Sequence, residues 1–227
     1  MFSESITIIF SLEPHYIEIV ILSLLVSVSA VFFASLASII VAVYLSMNSF
    51  KLKNMIIILF NSLLALPPVV IGLILYILFS SNGLLGDFDL LYTTTIMIIA
   101  QVILITPILV TLCKESFDSS YNYLKEYLIS IHASKIKKAQ TLIQECKFSI
   151  ILNILVAFGR ALSEVGAIII VGGNISYLTR TMTTGIVVET SKGDLSVALS
   201  LGITLLVISL VINLIVYYFK SYLRNNF

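Results

Sequence analysis

Five apolar runs of more than twenty residues each constrain this chain more than any other feature. A helix needs roughly 20 apolar residues to cross about 30 Å of hydrocarbon. The runs are too long for transmembrane strands and lack their alternation. In lipid, a helix also satisfies its own backbone hydrogen bonds. The sequence therefore predicts an all-α membrane protein with five transmembrane helices, at residues 17–47, 54–80, 91–113, 148–172 and 197–219.

The composition agrees with this class. Hydrophobic residues make up 59% of the 227 residues, charged residues make up 11%, and the mean hydropathy is +1.10. Water-soluble domains carry far more charge, so membrane lipid is the expected surrounding. A net charge of +1 provides no field that would attract nucleic acid. No Cys/His cluster has the spacing of metal ligands, so no metal site is predicted.

The basic residues set the expected orientation. If the N-terminus lies outside, ten lysines and arginines fall on the inner side, and only Arg180 and Lys192 fall on the outer side. Because basic residues collect on the cytoplasmic side, the predicted topology is N-out and C-in. Residues 1–16 then form a periplasmic or interfacial segment, residues 17–219 the transmembrane domain, and residues 220–227 a cytoplasmic tail.

The cytoplasmic connection at residues 114–147 holds six of the thirteen basic residues. A helix is predicted on each side of a break near residues 132–134, and Ser134 is placed to cap the second helix. That second helix carries an apolar stripe. It either lies on the anionic leaflet, held by its lysines, or docks on a cytosolic protein.

Residues 126–134 read Glu-Tyr-Leu-Ile-Ser-Ile-His-Ala-Ser, which resembles the cytoplasmic Glu-Ala-Ala loop of ABC importer permeases. Three residues match the family consensus, whereas Ile131 replaces its leucine and His132 replaces its glycine. The resemblance implies that residues 114–147 form a coupling loop whose helix sits in a groove of an ATPase subunit. The coupling residues it implies are Glu126, Ile131, His132, Ala133, Ser134 and Lys135.

Two further stretches strengthen the resemblance. Residues 66–72, Leu-Pro-Pro-Val-Val-Ile-Gly, are similar to molybdate-type permeases, and residues 159–194 look like the tungstate branch. The resemblance implies a type I ABC importer permease fold, an inner (plasma) membrane location in a prokaryote, and a homodimer. The implied partners are a cytosolic ATP-binding-cassette ATPase dimer, which would hold ATP and Mg, and a periplasmic or lipid-anchored oxyanion-binding protein. Tungstate is the implied substrate, with molybdate or sulfate as alternatives, and the chain itself needs no cofactor.

Pro67 and Pro68 lie in the middle of the second predicted span. Each proline removes a backbone donor and clashes with the preceding turn, so the helix must bend there. The bend is either a static feature of packing or a gate in which the outer half of the helix moves.

Arg160 and Glu164 are opposite charges deep in the fourth predicted span, with Ser163 between them. At about 1.5 Å per residue, Arg160 lies about 18 Å from the cytosolic end, near the midplane. A spacing of four puts both charges on one face of a continuous helix, and the cost of charge in lipid excludes a lipid-facing position. The pair either locks helix packing or faces a pathway, where Arg160 would lower the barrier for an oxyanion.

A polar cluster follows at the outer end of this span. Its hydroxyls, amide and cation suit transient contact with a tetrahedral oxyanion or with a binding-protein lobe; alternatively, it forms an ordered re-entrant loop. Beyond the cluster, Glu189 is expected on a solvated rim or at a partner contact. The pathway candidates in the cluster are Asn174, Thr179, Arg180, Thr183 and Thr184.

Two other classes fit the sequence less well. A secondary transporter would show matching broken helices in two halves, but five spans do not divide evenly. A membrane hydrolase would need a nucleophile and a base together, and Ser163 beside Glu164 without a histidine is poor support. The sequence has no Gly-x-x-x-x-Gly-Lys-Ser/Thr motif for ATP phosphates. The chain is therefore predicted not to be an enzyme, and its energy must come from another subunit.

Overall fold

The computed structural model describes residues 2–11 and 13–226. The prediction of an all-helical protein is confirmed, because these residues contain α-helices, one short 3-10 turn and no β-strand. The helices are α1 (Phe2–Ser11), α2 (Pro14–Met47), α3 (Lys53–Leu63), α4 (Pro68–Phe79), α5 (Thr94–Ser130), α6 (Lys135–Glu145), α7 (Lys147–Leu162), α8 (Gly166–Gly172), α9 (Met182–Lys192) and α10 (Leu195–Asn226).

Three helices, α2, α5 and α10, are each long and apolar enough to cross a membrane. Two further pairs meet the same criterion only together: α3 with α4, which bend by 99° at their junction, and α6 with α7, which bend by 66°. By length and composition, the described residues therefore contain three spans, or up to five if each bent pair is one span. The count of five and the N-out, C-in orientation stay predictions.

Two of the predicted runs are interrupted. Residues 54–80 divide into α3 and α4, and residues 148–172 divide into α7 and α8 rather than forming one continuous helix. At the first break, three successive N–H groups from Leu64 to Leu66 donate to carbonyls three residues back, which tightens the chain before the prolines. At the second break, the side chain of Gln101 donates to the carbonyl of Ala161 at 2.9 Å, which satisfies an acceptor at the end of α7.

The centre of the bundle is the pair α2 and α5. The Ser38 hydroxyl donates to the Thr106 carbonyl at 3.2 Å, and the Ser46 hydroxyl donates to the Lys114 carbonyl at 3.4 Å. Both bonds join residues 68 apart in sequence, so the two helices run in the same direction. Fully buried alanines on α2 and α5, Ala30, Ala34, Ala42 and Ala100, provide the small surfaces that close helix packing in a membrane requires.

The start of α10 lies beside the start of α2. The Tyr16 hydroxyl donates to the Ser200 carbonyl at 3.1 Å and also contacts the Thr204 hydroxyl. Tyr16 packs in one core cluster with Leu201, from the first turns of α10. The two helices therefore begin at the same end of the molecule.

Candidate functional site

The structure separates the predicted site residues into three regions. The first is the turn that joins α5 to α6 and continues to the start of α7, which we call the elbow (residues 126–147). The second is the junction of the two breaks, at residues 64–67 and 163–165. The third is the loop from the end of α8 to the first turn of α9, residues 173–184.

The elbow stands on a long extension of α5. This helix continues as one piece from Thr94 to Ser130, although the predicted span ends at residue 113. At about 1.5 Å per residue, residues 114–130 add about 25 Å to the length that the hydrocarbon needs. The extension of α5 therefore places the turn well beyond the end of the predicted span.

The turn at the tip of the elbow is a Schellman motif centred on His132. Its φ is 51°, in the left-handed region. The His132 N–H donates to the Ile129 carbonyl at 2.9 Å, and the Ala133 N–H donates to the Leu128 carbonyl at 3.1 Å, which are the two bonds of this motif. The break predicted at residues 132–134 is therefore present. Glycine is the favoured residue at such a position, so histidine here adopts a strained conformation.

The start of α6 follows the predicted capping pattern. The Ser134 hydroxyl accepts the Lys137 N–H at 3.3 Å, which confirms its role as the N-cap. On the inner side of α6, Leu142 is fully buried and packs in one cluster with Phe117 of α5 and Cys146. These contacts hold α6 against the α5 extension, so the elbow is a packed unit.

The outer side of the elbow carries exposed apolar side chains. Tyr123, Tyr127 and Ile131 are spaced by four residues along the end of α5, and Ile136 follows in the first turn of α6. Ile136 is 72% exposed and Tyr127 is 61% exposed. Of the predicted coupling residues, all are exposed except Ala133, which is half-buried. A set of large exposed apolar residues beyond the predicted span is typical of a surface that binds another protein or a membrane.

The two breaks lie next to each other, which the sequence alone did not indicate. A Cβ built on Gly72 of α4 would be 2.9 Å from the Cα of Ala167 in α8. A Cβ on Gly166 would be 2.7 Å from a methyl group of Val69, directly after the two prolines. Because only glycine permits backbones to approach so closely, α4 and α8 pack as one outer unit beyond both breaks.

Arg160 and Glu164 are paired, but not on one continuous helix as predicted. Arg160 Nη2 is 3.7 Å from Glu164 Oε2. Glu164 lies past the end of α7, and its other carboxylate oxygen accepts the Ala167 N–H at 3.3 Å, at the start of α8. The Glu164 side chain is 6% exposed, whereas that of Arg160 is 51% exposed. Ser163 is exposed, and its hydroxyl donates to the Arg160 carbonyl at 3.0 Å.

The threonines of the outer loop hold the loop together. The Thr179 hydroxyl donates to the Gly172 carbonyl at 2.5 Å and accepts the Ile175 N–H at 2.9 Å. The Thr183 hydroxyl donates to the Glu164 carbonyl at 2.8 Å. Thr184 completes a capping box with Thr181 at the start of α9. These hydrogen bonds favour the interpretation as an ordered loop, and a pathway role for the threonines stays a prediction.

The two other polar candidates of this loop are also enclosed. Asn174 adopts a left-handed conformation, with φ 50°, and its side-chain oxygen is buried without a hydrogen-bond partner in the protein. Arg180 Nη1 is 3.1 Å from Glu189 Oε1, which also accepts from Lys192 at 2.8 Å. Glu189 is buried rather than on a solvated rim. Its carboxylate, shared with Lys192, offsets part of the charge of Arg180, which weakens the attraction of that arginine for an oxyanion.

Sequence reasoning missed two polar residues that link the helices at this junction. Gln101 of α5 is buried and bonded to the end of α7, as described above. Ser23 of α2 is also buried, and its hydroxyl accepts the Met182 N–H at 2.7 Å at the start of α9. Both lie within long apolar runs. A polar side chain inside an apolar run was the available signal, since such groups must find partners in a membrane.

The helical membrane bundle with its two adjacent breaks is of the class to which transport permeases belong, and the similar proteins name that function. Among known proteins, the tungstate uptake system permease protein of Peptoclostridium acidaminophilum is 36% identical over 202 residues, covering 89% of each chain. A permease of the same name from Campylobacter jejuni is 42% identical over 156 residues, covering 68% of this chain and 64% of its own. A probable anion ABC transporter permease of Haloferax volcanii is 32% identical over 193 residues, covering 83% of each chain.

No protein-family model matches the chain. The identities to full-length relatives nevertheless extend over most of the sequence, and the chain belongs to the family of ABC transporter permeases that includes the tungstate uptake permeases. It is an integral protein of the inner membrane. Permease subunits of this kind are not catalytic, because ATP is hydrolysed on a separate subunit.

Proposed function

We propose that this chain is the permease subunit of an ATP-driven tungstate importer, a multi-pass protein in the plasma membrane of a prokaryote. Two relatives named as tungstate uptake permeases, which are 36% and 42% identical to this chain, support this substrate. A sulfate transport permease is 28% identical over 144 residues, and a probable molybdenum transporter permease is 27% identical over 165 residues. Sulfate and molybdate are therefore the alternatives.

A topology of five spans is supported by the directions of the unbroken helices, and the N-out, C-in orientation is supported by the distribution of the basic residues. Since α2 and α5 run parallel, the chain between them must cross the membrane once in the opposite direction. The broken pair α3 and α4 supplies that crossing. Because α10 begins at the same end as α2, a second return crossing is required after α5. We assign it to α7 with α8, the predicted span at residues 148–172, and leave α6, which meets the length and hydropathy criterion only together with α7, in the elbow.

The observation that carries the proposal is the elbow. It projects about 25 Å beyond the predicted span and exposes Tyr127, Ile131 and Ile136 to its surroundings. A helix that only rested on the leaflet would also expose apolar groups, but it would not need an extension that carries them about 25 Å beyond the span. We therefore favour docking on a cytosolic ATPase dimer, which would bind ATP and Mg²⁺, over a helix held on the anionic leaflet.

Coupling from the elbow to the membrane interior would run along α5. This single helix carries the elbow at one end and Gln101 nearer the other, where its side chain bonds to the end of α7. That contact is one residue from Arg160. In the proposed cycle, ATP binding closes the ATPase dimer, moves both elbows and turns the cavity outward, and hydrolysis restores the inward state.

We further propose that two copies of the chain line the pathway and that Arg160 faces it. Half of the Arg160 side chain is exposed, while its partner Glu164 is buried. A pair whose only role was to lock packing would bury both groups. A half-exposed cation in a membrane span must meet water or polar groups, and a cavity between two copies would provide them. An oxyanion-binding protein would deliver tungstate at the outer end.

The test is co-expression of the tagged chain with its candidate ATPase subunit. Ile136→Asp should abolish co-purification and vanadate-sensitive tungstate uptake, because a charge replaces an apolar contact at the centre of the elbow. Ile175→Asp is the matched control, since Ile175 is also exposed but lies on the outer loop. Normal ATPase binding and uptake by Ile136→Asp would rule out the elbow as the docking surface. Competition by molybdate and sulfate distinguishes the substrates.

A further inference from the structure

Helix α1 presents three different surfaces around its circumference. At about 100° per residue, its ten side chains divide into three uninterrupted sectors. The first is apolar and exposed, the second is polar and exposed, and the third is buried or half-buried against the protein. In order around the helix, the sectors are Phe2, Ile6 and Phe10; then Ser3, Thr7, Ser11 and Glu4; then Ile8, Ser5 and Ile9.

Hydrogen bonds hold α1 beside the outer end of the bundle. The Ser5 hydroxyl donates to the Ser196 carbonyl at 2.8 Å, and the Ser196 hydroxyl donates to a Glu4 carboxylate oxygen at 2.9 Å. Ser196 lies in the first turn of α10. Two residues separate the end of α1 at Ser11 from the start of α2 at Pro14. Two such residues span at most about 10 Å. Because two apolar spans begin here, α1 lies at the level of the membrane surface.

The apolar sector of α1 is large for a helix at a water boundary. Phe2 is 70% exposed, Ile6 is 50% exposed and Phe10 is 80% exposed. The sector is bordered by a polar sector on one side and by the protein contact on the other. A helix lying in a membrane surface beside a protein requires these three surfaces in this order, one each for lipid, water and protein.

We propose that α1 is an interfacial helix that inserts Phe2, Ile6 and Phe10 into the outer leaflet. The helix contains no lysine or arginine, and its one charge is the carboxylate of Glu4. Insertion therefore depends on apolar burial rather than on attraction to anionic headgroups. The helix anchors the outer ends of α2 and α10 at a constant depth, and this anchoring does not depend on which oxyanion is transported.

The chain contains no tryptophan, so single tryptophans can report the surroundings of each sector. The variants are Phe10→Trp on the apolar sector, Thr7→Trp on the polar sector of the same helix, and Tyr123→Trp on the elbow, where the side chain is 87% exposed. Each full-length variant is reconstituted in phosphatidylcholine vesicles with and without a spin label on the acyl chain near the headgroup. All three positions are exposed, so the substitutions should leave folding intact.

The tryptophan at position 10 should have blue-shifted emission and lose at least half of its intensity to the lipid spin label. The tryptophans at positions 7 and 123 should emit as in water and lose little. Replacing part of the lipid with phosphatidylglycerol should leave all three results unchanged. Water-like emission at position 10 would overturn the proposal. So would blue-shifted emission there without quenching by the lipid label, because that result would mean that a second copy or another protein covers the sector.

Discussion

Gly72→Ala gives the sharpest test of the close approach between α4 and α8. The added Cβ would lie 2.9 Å from the Ala167 Cα, 3.1 Å from the Ala167 oxygen and 3.2 Å from the Ile170 Cβ. Two of these atoms belong to the backbone, so no side-chain rotation can relieve the contact. The helices must separate by almost 1 Å, and overpacking of this kind costs about 1–3 kcal/mol.

The control for this prediction is Gly202→Ala in the interior of α10, where a new Cβ meets no atom within 4 Å. Alanine stabilises a helix interior by roughly 0.5–1 kcal/mol relative to glycine, and this gain applies at both positions. The difference between the two variants therefore isolates the steric cost. Gly72→Ala should be less stable than Gly202→Ala by about 1–3 kcal/mol.

Unfolding can be followed through the two buried free cysteines, Cys113 and Cys146. The purified protein is titrated with a denaturing detergent, and thiol labelling by a maleimide dye reports the unfolded fraction. If Gly72→Ala unfolds at the same or a higher detergent concentration than Gly202→Ala, the two outer half-helices are not in the contact described here. A matched loss of tungstate uptake in Gly72→Ala would further connect this contact with the gate.

Three other predictions concern the elbow and the pathway. His132→Gly should stabilise the turn by about 1 kcal/mol, because glycine adopts the left-handed conformation without strain. Amide hydrogen exchange at Ala133 should then be slower, and an unchanged exchange rate would contradict this prediction. Arg160→Gln should abolish uptake while ATPase binding stays normal, and normal uptake would exclude this residue from the pathway. Burial, together with the nearby charge of Glu145, raises the pKa of the Cys146 thiol, against a smaller opposing effect of a hydrogen bond with Ser120. As the pH rises through the ordinary thiol range, the Cys146 thiol ionises first in the unfolded chain, so the free energy of unfolding should fall with pH over that window. Cys146→Ser should flatten this dependence, measured by detergent unfolding at a series of pH values. An unchanged slope would contradict the prediction.

The elbow illustrates how local chemistry can be predicted from sequence. A break was predicted near residues 132–134, with Ser134 as the cap of the following helix, because a helix start depends on residues that are neighbours in the chain. The prolines predicted a bend in the second run for the same reason. The resemblance placed His132 at the consensus glycine, but the sequence did not indicate that the turn would be a Schellman motif with His132 in a left-handed conformation.

The membrane class, the helical fold and the positions of the apolar runs were determined by the sequence by itself. Hydrophobic length and proline placement act locally, and lipid leaves a backbone no alternative to helix. Only the tertiary structure decided that the run at residues 148–172 breaks at Glu164, that Arg180 is paired with Glu189, and that Gly72 meets Ala167. These features depend on contacts that form only when the helices pack, and the hydropathy of an apolar run is the same whether or not packing interrupts its helix.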